Sequence, residues 1–125
     1  MLSQSTLIKI CIGESRKSDH QHRLGAVIYS KNIILSRNHN YSLKSAKKLH
    51  PRFHTWPGSI HAEMSCILSA RCDLVGSSMF IIRINKQEKL MMAMPCNQCM
   101  AYILYTGIKR VTYSTGDGFV TINLR

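Results

Sequence analysis

The sequence predicts an α/β domain in which helices pack on a mixed β-sheet. Three observations carry that prediction. Helix-period and strand-period runs follow one another in the order α-β-β-α-β-α-β-β. Helical runs between strands imply crossover connections and therefore some parallel pairing. Four residues, Thr115 to Gly118, separate the last two strand runs. That is too few for a parallel crossover, so these strands pair as a C-terminal antiparallel hairpin.

The elements follow in order. Leu2, Leu7, Ile8, Ile10, Cys11 and Ile12 predict an amphipathic first helix ending near Gly13. Leu24 to Tyr29 and Ile33 to Leu35 are β-rich runs, and Ser30-Lys31-Asn32 between them has the length of a hairpin turn. A long polar loop is expected from Ser36 to Ile60, broken by Pro51, Pro57 and Gly58. Loops of that length in a compact domain are usually functional. His61 to Arg71 reads as a helix with Met64, Ile67, Leu68 and Ala70 as its apolar stripe. Met79 to Ile84 is a central strand. Asn97 to Tyr105 is a second core helix, closed by Gly107. Arg110 to Ser114 and Phe119 to Leu124 are the last two strands, joined through Gly116-Asp117-Gly118.

A chain of 125 residues is expected to form one domain over residues 1–125, with a core that needs no disulfides. No apolar run approaches the roughly 20 residues of a membrane span, and the N-terminus reads as a helix rather than a secretory signal. Five cysteines is an odd number. Cys11, Cys66 and Cys72, outside the Cys-x-x-Cys pair, fit buried free thiols in a reducing compartment, so a cytoplasmic location is expected. The net charge is +11 and is unevenly spread. From His20 to Ala62 there is no Asp or Glu, while Arg23, Lys31, Arg37, Lys44, Lys47, Lys48, Arg52 and all six histidines lie there. Such a block attracts nucleic acid or a phosphorylated substrate. The plainer reading is a solvated basic face.

Two short motifs carry the chemistry: His61-Ala62-Glu63 and Pro95-Cys96-Asn97-Gln98-Cys99, with Cys96 35 residues after His61. His61, Cys96 and Cys99 offer one imidazole and two thiolates, a set that suits zinc with a fourth position open to water. Cys-x-x-Cys at a helix start lets both thiolates converge on one ion, and the exposed helix amides stabilise them. Zinc lowers the pKa of water toward about 7 and so supplies hydroxide at neutral pH. Glu63 need not ligate. It is expected to take the proton from that water, pass it to a ring nitrogen of a base and then to the departing amine. Ammonia leaves and a carbonyl remains. Two other readings stay open: a redox Cys-x-x-Cys, although no thioredoxin-like strand pattern surrounds it, and a structural zinc closed by His50 or His54.

The joint pattern His-x-Glu … Pro-Cys-x-x-Cys is that of the zinc nucleobase deaminases, and the chain resembles the cytidine deaminase-like superfamily from about Leu24 to Tyr113. Gly25-Ala26-Val27-Ile28 is similar to the first core strand of that superfamily, Arg83 to an Arg that often closes the third strand, and Ile108 to Tyr113 to the strand after the second zinc helix. The resemblance implies a three-layer α-β-α fold with a five-stranded mixed sheet. It implies His61, Cys96 and Cys99 as zinc ligands, Glu63 as proton shuttle, and backbone amides at Ala62 and Cys96 that contact the base and the nascent hydroxide. Asn40 lies 15 residues after Gly25 and is similar to an Asn of the tRNA adenosine deaminase branch that contacts sugar and positions the base. A turn residue is the plainer reading, and Asn38 is the other candidate.

The resemblance has departures. The dCMP deaminase branch usually carries extra metal ligands and an insertion before His-Ala-Glu, which is not intact here. The branch of tRNA adenosine deaminases and vertebrate polynucleotide cytosine deaminases has a helix between its last two strands, where this chain has a tight turn. That hairpin is similar to free cytidine deaminases and to several bacterial toxin-type DNA deaminases, yet free cytidine deaminases are not usually so basic.

The Ser36–Ile60 segment interleaves cations with Tyr41, Phe53, His54 and Trp56, and aromatic stacking contributes roughly 1–3 kcal/mol per base. Trp56 and Tyr113 are therefore candidate substrate contacts, although either can equally be packing. The expected activity is zinc-dependent deamination of cytosine to uracil in nucleic acid, with single-stranded DNA favoured. Its rivals are deamination of free cytidine or dCMP, a tRNA adenosine deaminase, and a non-catalytic zinc module that binds nucleic acid. Glu63 argues against the last, because a structural zinc has no need of it.

Overall fold

The computed structural model describes residues 2–19, 22–42 and 59–125. Helix α1 spans Gln4–Ser15, strand β1 Arg23–Ser30 and β2 Ile33–His39. Two short strands follow, β3 (Tyr41–Ser42) and β4 (Ser59–Ile60), then α2 (Ala62–Ser69) and β5 (Ser78–Ile84). The chain ends with β6 (Leu90–Met91), α3 (Asn97–Thr106), β7 (Arg110–Ser114) and β8 (Phe119–Asn123). The main sheet runs β2-β1-β5-β7-β8. The pairs β1/β2, β1/β5 and β7/β8 are antiparallel and β5/β7 is parallel. The expected five-stranded mixed sheet and closing hairpin are present. The two-residue β6 adds a sixth strand against the end of β5.

Alternation of side chains across the sheet makes the three layers. Val27, Phe80, Ile82 and Ile84 face one way and pack with Leu7 and Cys11 of α1. Ala26, Ile28, Met79, Ile81, Val111 and Tyr113 face the other way and pack with Ala62, Cys66 and Ile67 of α2 and Ile103 of α3. Strands β1 and β5 are buried on both faces, which is why they read as unbroken apolar runs. Among the described residues no helix is long and apolar enough to cross a membrane.

Several boundaries differ from those the sequence suggests. Helix α1 runs through Gly13 to Ser15, capped by Ser3, whose Oγ accepts from the Thr6 amide at 3.1 Å. Strand β2 continues past Leu35 to His39, because Ser36, Arg37 and Asn38 stay in register with Ile28, Val27 and Ala26. Its polar residues are spent on α2. Ser36 Oγ donates to the Cys66 carbonyl at 2.7 Å, and the Asn38 amide donates to Ser69 Oγ at 2.6 Å. Helix α2 stops at Ser69, two residues before Arg71, and Ala70 is extended. Cys11 and Cys66 are buried free thiols as expected, but Cys72 is exposed.

Glu14 ties α1 to β2. Its buried carboxylate accepts from Lys17 Nζ at 3.0 Å and His39 Nδ1 at 3.1 Å. Gly25 sets how closely α1 approaches β1. A Cβ there would lie 2.0 Å from the Cys11 carbonyl oxygen and 2.8 Å from the Ser15 amide nitrogen. Both are backbone atoms and cannot swing aside. Gly25→Ala is expected to cost at least about 3 kcal/mol, the upper end for overpacked interiors. Thermal denaturation checks this, and a variant as stable as the parent contradicts the close approach.

Candidate metal centre and active site

Two helix N-termini meet at the carboxyl end of β5. His61 is the N-cap of α2 with extended backbone (φ −71°, ψ 152°), and its side chain makes no capping hydrogen bond. The imidazole is thereby left to face the second motif. Cys96 is the N-cap of α3, and its Sγ accepts from the Cys99 amide at 3.5 Å. His61 Nδ1 lies 3.6 Å from Cys96 Sγ and 3.4 Å from Cys99 Sγ. The three candidate donor atoms fall within 4.8 Å of one another. That spacing and the nitrogen–sulfur–sulfur donor set fit a tetrahedral zinc with one open position.

Electrostatics agree with a cation at this point. The hydrogen bond from Cys99 brings the Cys96 thiol down to about 3 despite its partial burial, with help from His61. The same bond, together with burial, pushes Cys99 up. Zinc takes thiolates, so binding at this pair would release the protons the sulfurs carry.

Glu63 sits in the first turn of α2, 3% exposed. Its Oε1 is buried and has no hydrogen-bond partner among the described residues. Burial raises its carboxyl above the usual value, against the pull of the backbone and His61. An unpartnered buried carboxylate oxygen costs stability, and such groups persist where function requires them.

The α2 start is held in place by β2. Ser65 Oγ donates to the His39 carbonyl at 2.6 Å, and the Asn38 amide reaches the Ser65 carbonyl at 3.3 Å. The β3/β4 pair, with Tyr41 opposite Ile60, carries the chain to His61.

A cavity of about 220 Å³ opens over these residues, lined by His61, Ala62, Glu63 and Cys96. Asn40, His22, Arg83, Met92 and Met94 form other parts of its wall. A larger hollow of about 610 Å³ lies on the α1 side of the sheet, but its lining contains no Asp, Glu, His or Cys.

The expected site residues fare differently. His61, Ala62, Glu63 and Cys96 are brought together at the cavity, with Cys99 buried behind them. Asn40 also lines the cavity, and its amide is already engaged. It accepts from the Leu24 amide at 2.9 Å and donates to the His22 carbonyl at 2.5 Å. Asn40 thus shapes the wall by pinning the entry to β1. Tyr113 is corrected to the core. It is 7% exposed and shares the inward face of β7 with Val111, away from the cavity lining. Trp56, with Phe53 and His54, lies outside the described residues.

Sequence reasoning missed His22, Met92 and Met94 and gave Arg83 no role. Parity was the available signal for Arg83, which shares a strand face with Ile81 and Met79. Spacing was the signal for Met92 and Met94, two residues apart just before Pro95.

The family model for the cytidine and deoxycytidylate deaminase zinc-binding region matches residues 1–115. The chain belongs to this deaminase family. No curated protein matches it in sequence. In structure this deaminase-family chain is similar to the dCMP deaminase of cyanophage S-TIM5 in its apo form, at 22% identity. The TM-score there is 0.65, covering 87% of this chain and 79% of that one. The complex of the cyanophage enzyme with dCMP and dUMP matches at 17% identity and a TM-score of 0.58, over 90% and 83% of the two chains. Cytidine deaminase from Burkholderia pseudomallei matches at 12% identity and a TM-score of 0.67, over 98% and 94%. These likenesses establish the fold, and the zinc-binding family together with the converging His61, Cys96 and Cys99 identifies the metal.

Proposed function

We propose that this chain is a zinc-dependent hydrolase that converts cytosine to uracil in a phosphate-bearing substrate, with a free deoxycytidine nucleotide as the leading candidate. The observation that carries the reading is the buried Glu63 Oε1, unpartnered among the described residues, beside the His61, Cys96 and Cys99 cluster at a cavity.

His61, Cys96 and Cys99 would hold zinc, which when bound would supply the Lewis acidity that makes water a competent nucleophile at neutral pH. Glu63 accepts a proton from the attacking water. It returns that proton to the ring nitrogen next to the reacting carbon, then takes the remaining proton of the same water from the new hydroxyl and passes it to the departing amine. Water and the amino group exchange, so the products are a carbonyl and ammonia. The N-termini of α2 and α3 lie at the cluster, and their dipoles favour negative charge that develops there. Met92 and Met94, both more than half exposed, line the cavity and offer a soft apolar surface to a base.

The small cavity suits one pyrimidine at a time, which a free deoxycytidine nucleotide supplies directly and a strand supplies with one base turned out. The cyanophage relative in complex with dCMP and dUMP supports the same substrate class. A second reading, cytosine in single-stranded DNA, is favoured by the net charge of +11 and the acid-free stretch from His20 to Ala62. Uracil formation from dCMP, deoxycytidine and a cytosine oligonucleotide separates the two. Turnover of dCMP above the other two supports the leading reading, and turnover of the oligonucleotide alone replaces it with the second.

A further inference from the structure

We propose that Arg83, braced by His22, binds the phosphate of the substrate; this rests on the reading of the cavity as a cytosine deaminase site. Arg83 lies one residue before the end of β5, paired across the sheet with Leu24. It shares the strand face of Ile81, so it points to the α2 and α3 side, where the metal cluster lies. Ligands of such open α/β sheets sit beyond the carboxyl ends of parallel strands, and β5 is parallel to β7.

Arg83 and His22 both line the cavity that contains Glu63 and His61. Arg83 Nη2 donates to His22 Nδ1 at 2.8 Å. Accepting at Nδ1 places the ring proton of neutral His22 on Nε2. Among the described residues Arg83 has no carboxylate within ion-pair distance. The guanidinium spends one of its five N–H donors on His22. A half-buried guanidinium with no counter-charge among the described residues, fixed at a cavity wall, is matched by a phosphate, whose oxygens accept its planar fork two at a time.

Asn40 adds to the positioning. Its donation to the His22 carbonyl and acceptance from Leu24 hold the segment that carries His22 against the end of β5. The cavity then has a metal and proton shuttle at one side for the base, and a cation at another for the phosphate.

Binding of products tests this without turnover. The zinc-loaded full chain is titrated calorimetrically with dUMP, deoxyuridine and a short uracil-containing oligonucleotide. The parent is expected to bind a phosphate-bearing ligand about 10- to 100-fold more tightly than deoxyuridine, the scale of a charge-assisted hydrogen bond. In Arg83→Gln that preference collapses toward one, and in Arg83→Lys part of it survives as a point charge. Inorganic phosphate competes with dUMP and not with deoxyuridine in the parent, an arm that needs no variant.

Loss of preference for dUMP assigns a monomer phosphate; loss for the oligonucleotide alone assigns a strand phosphate. Either upholds the role of Arg83. An unchanged preference in Arg83→Gln, or a parent that binds deoxyuridine as tightly as both phosphate-bearing ligands, overturns it. A chain that binds dUMP through Arg83 yet converts no cytosine overturns the proposed reaction and leaves this inference standing.

Discussion

Glu63→Ala is expected to abolish turnover while the protein keeps its zinc. The carboxylate belongs to the α2 turn that presents His61, but it is not one of the three clustered donors. Its loss therefore removes the group that moves the proton and not a ligand. General acid–base catalysis contributes about 10²–10⁴-fold, and here one residue serves both proton transfers, so a fall at or beyond the upper end is expected. Stability should move the other way. Glu63 Oε1 is buried without a hydrogen-bond partner among the described residues, and replacing an unsatisfied buried group with an apolar one is neutral or stabilising. The variant should therefore show full zinc content by elemental analysis and a melting temperature equal to or above that of the parent. Retained activity would contradict the assigned role, and lost zinc would make Glu63 a ligand.

Loss of the metal should have the second large effect. Cys99 is fully buried at the N-terminus of α3. Cys99→Ala leaves His61 and Cys96 as two donors, and zinc is expected to be lost on dialysis together with all activity. Chelation of the parent should reproduce this. A ligand at 1,000 times its dissociation constant stabilises by about 4 kcal/mol, and about 1 kcal/mol moves the melting temperature of a domain this size by roughly 2–8 °C. A fall of about 10 °C or more on chelation is therefore expected, reversed by adding zinc. An unchanged melting temperature and unchanged turnover after complete metal removal would contradict the zinc assignment.

The parts of the fold legible from sequence were those encoded locally. Unbroken apolar runs gave β1 and β5, because both are buried on two faces. Gly107, at φ 91°, closes α3 as its C-cap position suggested. Four residues between β7 and β8 left only a hairpin. The metal centre was legible because each half of it is a contiguous motif at a helix start.

The rest depended on tertiary pairing. Strand β2 extends through Ser36, Arg37 and Asn38 because β1 pairs with it, α2 takes up Ser36 and Asn38, and Glu14 of α1 faces Arg37, and no local propensity announces that. Tyr113 was left open between cavity and core because a residue at a strand end can face either, and only the register with Val111 places it in the core. Arg83 and His22 are 61 residues apart in sequence and meet only because β1 runs antiparallel to β5.

The central claim is that water replaces the amino group of a cytosine in this site. It is tested most directly by incubating the zinc-loaded chain with dCMP in water enriched in oxygen-18 and weighing the product by mass spectrometry. The account predicts dUMP carrying one heavy oxygen at the former amino position, with one ammonia released per product. Absence of any dUMP, or dUMP formed without the label, would contradict it.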